Sequence, residues 1–316
     1  MNRKTILNLL KIIVSAGLIA LILRSIDLRE LGRVLARANL GWLAAALAFS
    51  FGGVAARAKR WHILLDALRV RVPFTELLQI YFIGFLFNNL LPSGLGGDAI
   101  RMMELNRHSE RAGDAVSSVL VDRMLGVFGS LSLALAALAF RWRAVPAQIA
   151  VLSILLFAGL TGVGLALINQ SLYHALRRIP LIRRLTGIRF AGELFRSFQT
   201  YNLPTLGRSY TFSLLLSLCL IGMNMSIGRA LGASISAVHF LVFVPLASLV
   251  LILPISFAGL GVREGAYVYL FGQVGVPQEV ALGLSLLVYV LGNAMPGLLG
   301  GVVYLWRSAR GIKNQE

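Results

Sequence analysis

The sequence predicts an all-α, polytopic membrane protein with about six full crossings plus two opposed re-entrant helical hairpins in an inverted repeat. Three observations carry that reading. Several apolar runs reach spanning length in a chain of 316 residues that is 57% hydrophobic and 14% charged, with a mean hydropathy of +0.79, a composition foreign to soluble domains. Basic residues fall in short segments between those runs, as the cytoplasmic Lys/Arg bias predicts. Finally, Leu91-Pro92-Ser93-Gly94-Leu95-Gly96-Gly97-Asp98 returns about 165 residues later as Leu253-Pro254-Ile255-Ser256-Phe257-Ala258-Gly259-Leu260-Gly261-Val262-Arg263. A Pro/Gly break followed by charge is costly in hydrocarbon, where free backbone groups lack water, so it persists only inside protein or beside a wet cavity.

Taken in order, apolar length and charged flanks place full crossings at 6–23, 40–58, 112–140, 145–168, 209–231 and 278–306. The first follows Met1-Asn2-Arg3-Lys4 and resembles a signal peptide, yet no small-residue cleavage site comes after Leu23, so it is expected to stay as a helix. The 24–39 segment carries Arg24, Arg29, Arg33 and Arg37 partly offset by Asp27 and Glu30, a pattern that suits an interfacial amphipathic helix. Two split segments, 74–106 and 238–272, each read as an apolar helix, a break and a shorter second helix. Each half is short for a span, which favours re-entrant hairpins. A basic loop over 169–208 and the closing Arg307, Arg310 and Lys313 put both termini and the basic loops on the cytoplasmic side, against an anionic leaflet.

The duplication extends past the break: Ala115, Leu120, Leu125 and Gly126 match Ala281, Leu286, Leu291 and Gly292 at a constant spacing of 166. The repeat units are therefore about 74–140 and 238–306, within one transmembrane domain over 1–316. Three crossings separate the hairpins, an odd number, so the second copy enters from the opposite side and the tips approach each other in mid-membrane.

Composition also excludes functions. The net charge of +17 comes from arginines in the loops, which speaks against nucleic-acid binding. Cys219 stands alone, and His62, His108, His174 and His239 are scattered, so neither a disulfide framework nor a metal site is expected. No Ser/His/Asp group or Walker loop is visible, so no cofactor, covalent catalysis or ATP drive is expected; Gly94-Leu95-Gly96-Gly97-Asp98-Ala99 fits the loose dinucleotide pattern but lacks strand context.

The candidate site residues gather at the breaks. The second helix of each hairpin starts after glycines, Gly94, Gly96 and Gly97 or Gly259 and Gly261, so its first N–H groups and its dipole face the break and suit an anion. Close packing and turning of the helices is the alternative reading of the same glycines. Asp122 and Arg123 lie about 15 Å into their helix. Sequence neighbours point about 100° apart on a helix, so each needs another partner, and Asp98 and Arg101 are the candidates. Arg263 offers a guanidinium fork for phosphate oxygens, and Glu264 is either a titrating acid or a partner of the helix dipole. Asn88, Asn89, Asn224 and Asn293 read as interhelical hydrogen-bond glue. Arg57, Lys59, Arg60, Trp61 and Tyr81 read as an inner-interface belt, with Arg57, Arg60 and Trp61 as the alternative point of headgroup entry. Gly297 and Gly301 beside Pro296 form a small-residue face with a kink.

At Arg60-Trp61, Asn88-Asn89-Leu90-Leu91-Pro92-Ser93-Gly94-Leu95-Gly96-Gly97-Asp98-Ala99 with Arg101, Asp122-Arg123-Met124-Leu125-Gly126 and Gly259-Leu260-Gly261-Val262-Arg263-Glu264-Gly265, the chain resembles the lysylphosphatidylglycerol synthase transmembrane region, or flippase-like domain, family. The likeness covers most of residues 5–305. It implies, from two-part members, that such a membrane portion moves an aminoacylated phospholipid made by a soluble domain. That domain does not follow the last apolar run here, so a stand-alone member without synthase activity is expected. The resulting expectation is a bacterial inner-membrane flippase for an anionic or amphiphilic lipid of phospholipid, polyprenyl-linked or hopanoid type, with Arg101, Arg123 and Arg263 holding the headgroup and Asp98, Asp122 and Glu264 orienting them or carrying protons. The rivals are an enzyme or enzyme partner acting on a lipid headgroup, and a non-transporting scaffold. Homo-oligomerisation or a separate synthase partner stays open.

Overall fold

A computed structural model describes residues 3–24, 26–91, 96–105, 112–168, 196–251, 256 and 259–313, helical throughout apart from turns and short connections. Its centre is an antiparallel pair, α3 (Leu40–Ala67) and α8 (Leu203–Ala230). Small residues set their approach: ideal Cβ atoms on Gly52 and Gly53 would lie 3.5 Å from Cys219 and Leu216. The pairing runs from the bond of Asn39 N–H to the Ala230 carbonyl at one end to Arg60 with Ser213 towards the other.

Two helix pairs enter from opposite ends of this frame. After a short turn from the end of α3 comes α4 (Phe74–Leu90), then the break, then α5 (Gly96–Leu105). Gly97 packs on Gly84 and Arg101 on Tyr81, so α5 runs back along α4. From the end of α8, at the other end of the frame, come α9 (Ala237–Val250) and α10 (Val262–Gly272). Phe271, at the end of α10, packs on Phe240 and Phe243 near the start of α9, which makes this pair antiparallel as well. Both breaks therefore fall where the sequence puts them, between two helices too short to span comfortably.

The helix after each pair packs against the first helix of the other pair. α6 (Ala112–Arg141) lies along α9 and α8, and α12 (Met295–Lys313) lies along α4. The latter contact is backbone to backbone: a Cβ on Gly300 would overlap the Phe82 carbonyl, whereas Gly301, singled out in the sequence, faces Leu86 at 3.8 Å. α11 (Gln278–Tyr289) continues into α12 through a π-helical turn, Val290–Ala294. Pro296 explains it, because its missing N–H leaves the Gly292 carbonyl unbonded and its ring crowds that carbonyl. The displaced carbonyls of Leu291 and Asn293 are taken up by Ser50 Oγ (2.8 Å) and Asn89 Nδ2 (3.1 Å).

Among the described residues, five helical stretches, Leu40–Ala67, Gly113–Ala144, Ala147–Leu165, Leu203–Ala230 and Gln278–Ala309, are long and apolar enough to cross a membrane. The sixth expected crossing coincides with α1 (Arg3–Arg24), a 22-residue helix. α7 (Ala147–Ile168) shows Val151, Leu152 and Leu155 half or more exposed, the look of a helix facing lipid rather than water. α2 (Leu28–Ala36) falls in the segment read as an amphipathic helix; Asp27 caps it, accepting from the Arg29 and Glu30 N–H groups, and Leu31 packs with Ile26 and Leu282.

Of the helices that outrun their expected limits, two bear on the site. The 40–58 crossing continues to Ala67, and the 209–231 crossing begins at Leu203. Polar residues that mark an interface in the sequence are thereby carried inside the fold, and the functional-site geometry shows what compensates them.

Candidate functional site

Asp122, the eleventh residue of α6, is the hub of a charged network that joins α3, α4, α5 and α6 and reaches α8. Its Oδ1 accepts from Arg60 Nε at 2.6 Å, and its Oδ2 accepts from Arg101 Nη2 at 2.8 Å and from the Tyr81 hydroxyl at 3.0 Å. Arg101 turns its other edge to Asp98 Oδ1 (3.1 Å), while Asp98 Oδ2 accepts from Arg123 Nη1 at 2.8 Å. Arg60 also donates to Ser213 Oγ on α8 at 3.1 Å. The two acids and two arginines paired on sequence grounds are thus joined directly, and α3 adds a third arginine.

The aromatic residues complete the cage. The Arg101 guanidinium lies 4.3 Å from the Trp61 ring and 4.5 Å from the Tyr81 ring, where the negative ring faces favour a cation. Trp61 is fully buried and donates from Nε1 to Ser118 Oγ at 3.1 Å. The interfacial belt expected of Arg60, Trp61 and Tyr81 is therefore corrected: these side chains are interior. The physical reason is that Asp122 supplies the counter-charge and hydrogen bonds that let α3 continue through Arg60. Tyr81 and Ser213 are site residues that sequence reasoning missed. A signal for Ser213 exists in the stripe Ser209, Ser213, Ser217, all buried and spaced four apart on the face of α8 that meets α6.

Exposure grades along this network. The Arg60 and Asp122 side chains are 3% and 2% exposed, whereas Asp98 and Arg123 are 26% and 33% exposed. The closed end is thus sealed in protein, and the open end faces a cavity of about 290 Å³. That cavity is walled by both helix pairs: Asn88, Asp98 and Arg101 from the first, Pro245, Ser248 and Leu249 from the second. A second cavity of about 240 Å³ adjoins it, with Arg263 and Tyr267 on α10, Phe85 on α4, and Gly292 and Asn293 of the π turn in its walls. Arg57, Leu216, Leu220 and Ser248 line both.

At the second break, Arg263 pairs with its own neighbour Glu264, at 2.6 Å, and its guanidinium sits 4.4 Å from the Tyr289 ring. Adjacent residues can meet here because they lie in the first turn of α10, where Glu264 Oε2 also turns back to accept the Gly261 N–H at 2.7 Å. Gly261 has no side chain to reciprocate, so this is half of a capping box. Tyr267 donates to Asn224 Oδ1 at 2.7 Å, the bridging role expected of that asparagine.

The glycines act chiefly in packing. A Cβ on Gly96 would lie 2.6 Å from the Phe87 carbonyl oxygen, and one on Gly97 2.8 Å from that of Gly84. Gly259 and Gly261 have φ of +78° and +81°, which side chains rarely adopt, and Gly261 also meets Leu18 of α1. The N–H groups of Gly97 and Gly261 are already bonded, to Asn88 Oδ1 at 2.7 Å and to Glu264. Gly97 borders a small pocket beside Asp98 and Arg101, while Gly96, Gly259 and Gly261 are absent from the two cavity walls. Gly94 lies outside the described residues.

These features define a class: a multi-pass helical membrane protein whose interrupted helices bring buried, paired charge to cavities inside the bundle. The particular family follows from comparison. The model of the lysylphosphatidylglycerol synthase TM region matches residues 8–300, and the chain belongs to that family. It is similar to a UPF0104 membrane protein of Pyrococcus horikoshii, 24% identical over 326 residues that cover 94% of this chain and 96% of that one. A UPF0104 membrane protein of Methanothermobacter thermautotrophicus is 25% identical over 279 residues, 78% of each chain.

Proposed function

We propose that this protein moves a lipid between the leaflets of a bacterial inner membrane, with an anionic or amphiphilic headgroup held between the tips of two re-entrant hairpins while the acyl chains stay in lipid. The observation that carries the reading is the Asp98–Arg123 pair, a third or less exposed at the edge of a cavity walled by both hairpins. Paired but reachable, Arg123 can exchange one hydrogen bond for a headgroup oxygen without a bare charge being left in a low-dielectric site.

The architecture supports the same reading. Hairpins entering from opposite ends of α3 and α8, and the reciprocal contacts of α6 with α9 and α12 with α4, are what two inverted units, about 74–140 and 238–306 of a single domain, would produce. Alternating access then consists of rocking the units about a fixed site. Arg101, Arg123 and Arg263 are the headgroup ligands in this scheme, and Asp98, Asp122 and Glu264 orient them. Of the glycines at the breaks, Gly96, Gly97, Gly259 and Gly261 let the tips pack closely enough to enclose the site. Phospholipid, polyprenyl-linked and hopanoid-type lipids share the polar head and long apolar tail this geometry needs. Both termini face the cytoplasm, and no synthase step is assigned to the chain.

The test is leaflet-resolved exchange in liposomes. Fluorescent phosphatidylglycerol and polyprenyl phosphate are presented in one leaflet, and the fraction protected from an impermeant quencher is followed with time. The wild-type protein should speed exchange over empty vesicles, and Arg123→Ala should slow it at least about tenfold, the loss expected for one charge-assisted bond. If the wild-type protein leaves every probe in its original leaflet, the scaffold reading replaces this one; a chemically altered lipid would favour the enzyme reading.

A further inference from the structure

We infer that Arg57 is the ligand at which a phosphate-type oxyanion of the lipid headgroup passes from the first cavity to the second. The inference rests on the translocation reading and adds a step to it.

Among the described residues, five arginines line the two cavities, and four have carboxylates: Arg60 and Arg101 on Asp122, Arg123 on Asp98 and Arg263 on Glu264. Arg57 pairs with no carboxylate among the described residues; its guanidinium lies 5.6 Å from the Phe85 ring. It sits 17 residues along the 28-residue helix α3, on the wall of both cavities, where a guanidinium without a carboxylate is met by water or by a ligand. It is also the cation that both cavities share. On one side are Asp98 and Arg123, on the other Arg263 and Tyr267. Among the described residues, five arginines stand against the three carboxylates that pair with them, Asp98, Asp122 and Glu264, an excess of two positive charges that selects an anion.

The geometry gives the passage its order. A headgroup leaving Arg123 meets the Arg57 fork before it reaches Arg263, so its oxyanion keeps a cation beside it while it crosses the wall of Leu216, Leu220 and Ser248. Arg is suited to this by its two parallel donors and weak hydration. Arg60, one turn further along α3, is closed off by Asp122 and has no such freedom.

The experiment compares Arg57→Gln with wild type as full-length protein. Binding of dihexanoyl phosphatidylglycerol is measured in detergent, and exchange of long-chain fluorescent phosphatidylglycerol in liposomes. Arg57→Gln should weaken binding and slow exchange, each by at least about tenfold. If a folded Arg57→Gln protein exchanges lipid at the wild-type rate, the inference fails while translocation stands; if wild type does not exchange lipid, both fall. Should Arg57→Gln not fold, Arg57→Lys decides. It keeps the charge beside Phe85 and removes the fork, so exchange should drop about threefold or more, and an unchanged rate overturns the inference. Glycerol 3-phosphate is the third arm: binding as tight as that of the short-chain lipid would mark a soluble phosphate ester as the ligand and overturn the crossing step.

Discussion

In the first hairpin the charged side chains leave their own helix. Arg101 reaches Asp122 on α6, Asp98 reaches Arg123 on α6, and Arg60 of α3 closes the cluster. In the second hairpin Arg263 folds onto its neighbour Glu264, Glu264 turns back to the Gly261 N–H, and the contacts that hold α10 to α9 are the rings of Phe240, Phe243 and Phe271. Two breaks with the same Pro/Gly start are thus fixed by different forces, one by ion pairs between helices and one by aromatic packing with a local pair. Buried ion pairs tie a mobile element in discrete arrangements, because removing one partner strands the other. Aromatic packing tolerates small slides. The first hairpin is accordingly the element whose position depends on charge, and the second the one whose position depends on shape.

The most direct way to break that contrast is Asp122→Ala. It leaves Arg60, Arg101 and Tyr81 facing an empty place inside the bundle, and a loss of about 3–5 kcal/mol is expected. Thermal unfolding in detergent should show it as a large drop in midpoint, with Asp122→Asn intermediate. A midpoint equal to wild type would mean that packing alone holds the first hairpin.

Glu264→Ala probes the matching acid of the second hairpin. The cap of α10 and the partner of Arg263 are lost together, yet Arg263 keeps its Tyr289 ring and borders the second cavity, which can hydrate it. The expected cost is about 1–3 kcal/mol, smaller than for Asp122→Ala by the same measurement. Equal costs would erase the distinction between the hairpins.

Much of this was legible in sequence. The breaks, the helices around them and the pairing of Asp98 and Arg101 with Asp122 and Arg123 follow from the cost of free backbone and bare charge in hydrocarbon, which acts through local composition. The position of Arg60 and Trp61 did not follow, because a basic-aromatic pair at the end of an apolar run has the same composition whether it meets headgroups or a buried carboxylate, and Asp122 lies 62 residues away. The π turn was signalled by Pro296, but its acceptance by Ser50 and Asn89 is a tertiary fact. The self-pairing of Arg263 was hidden by the helix rule that neighbours diverge, which holds in helix interiors and relaxes in a first turn.

The tips differ in a second way that alanine scanning sharpens. Gly97→Ala meets the Gly84 carbonyl and Asn88, so α5 must lift from α4 and the charge network must follow. Gly261→Ala meets Leu18 and takes a left-handed backbone, φ +81°, but moves no interhelix ion pair. Both should cost about 1–3 kcal/mol. Lipid exchange should separate them, with Gly97→Ala slowing it more at equal stability; the reverse order would place the charge-dependent step at the second hairpin.

The smallest stability effect belongs to Arg123→Ala. Its pair with Asp98 is partly open to the cavity, so solvent already screens it and the expected cost is about 1 kcal/mol or less. Asp98 keeps Arg101 as a partner after the change, which prevents a stranded carboxylate. Stability and exchange should therefore come apart at this residue and together at Asp122: unfolding midpoints near wild type with exchange slowed at least about tenfold for Arg123→Ala. A variant that loses both in proportion would show that the open end of the network holds the fold as the closed end does, and the exposure gradient from Asp122 to Arg123 would carry no functional division.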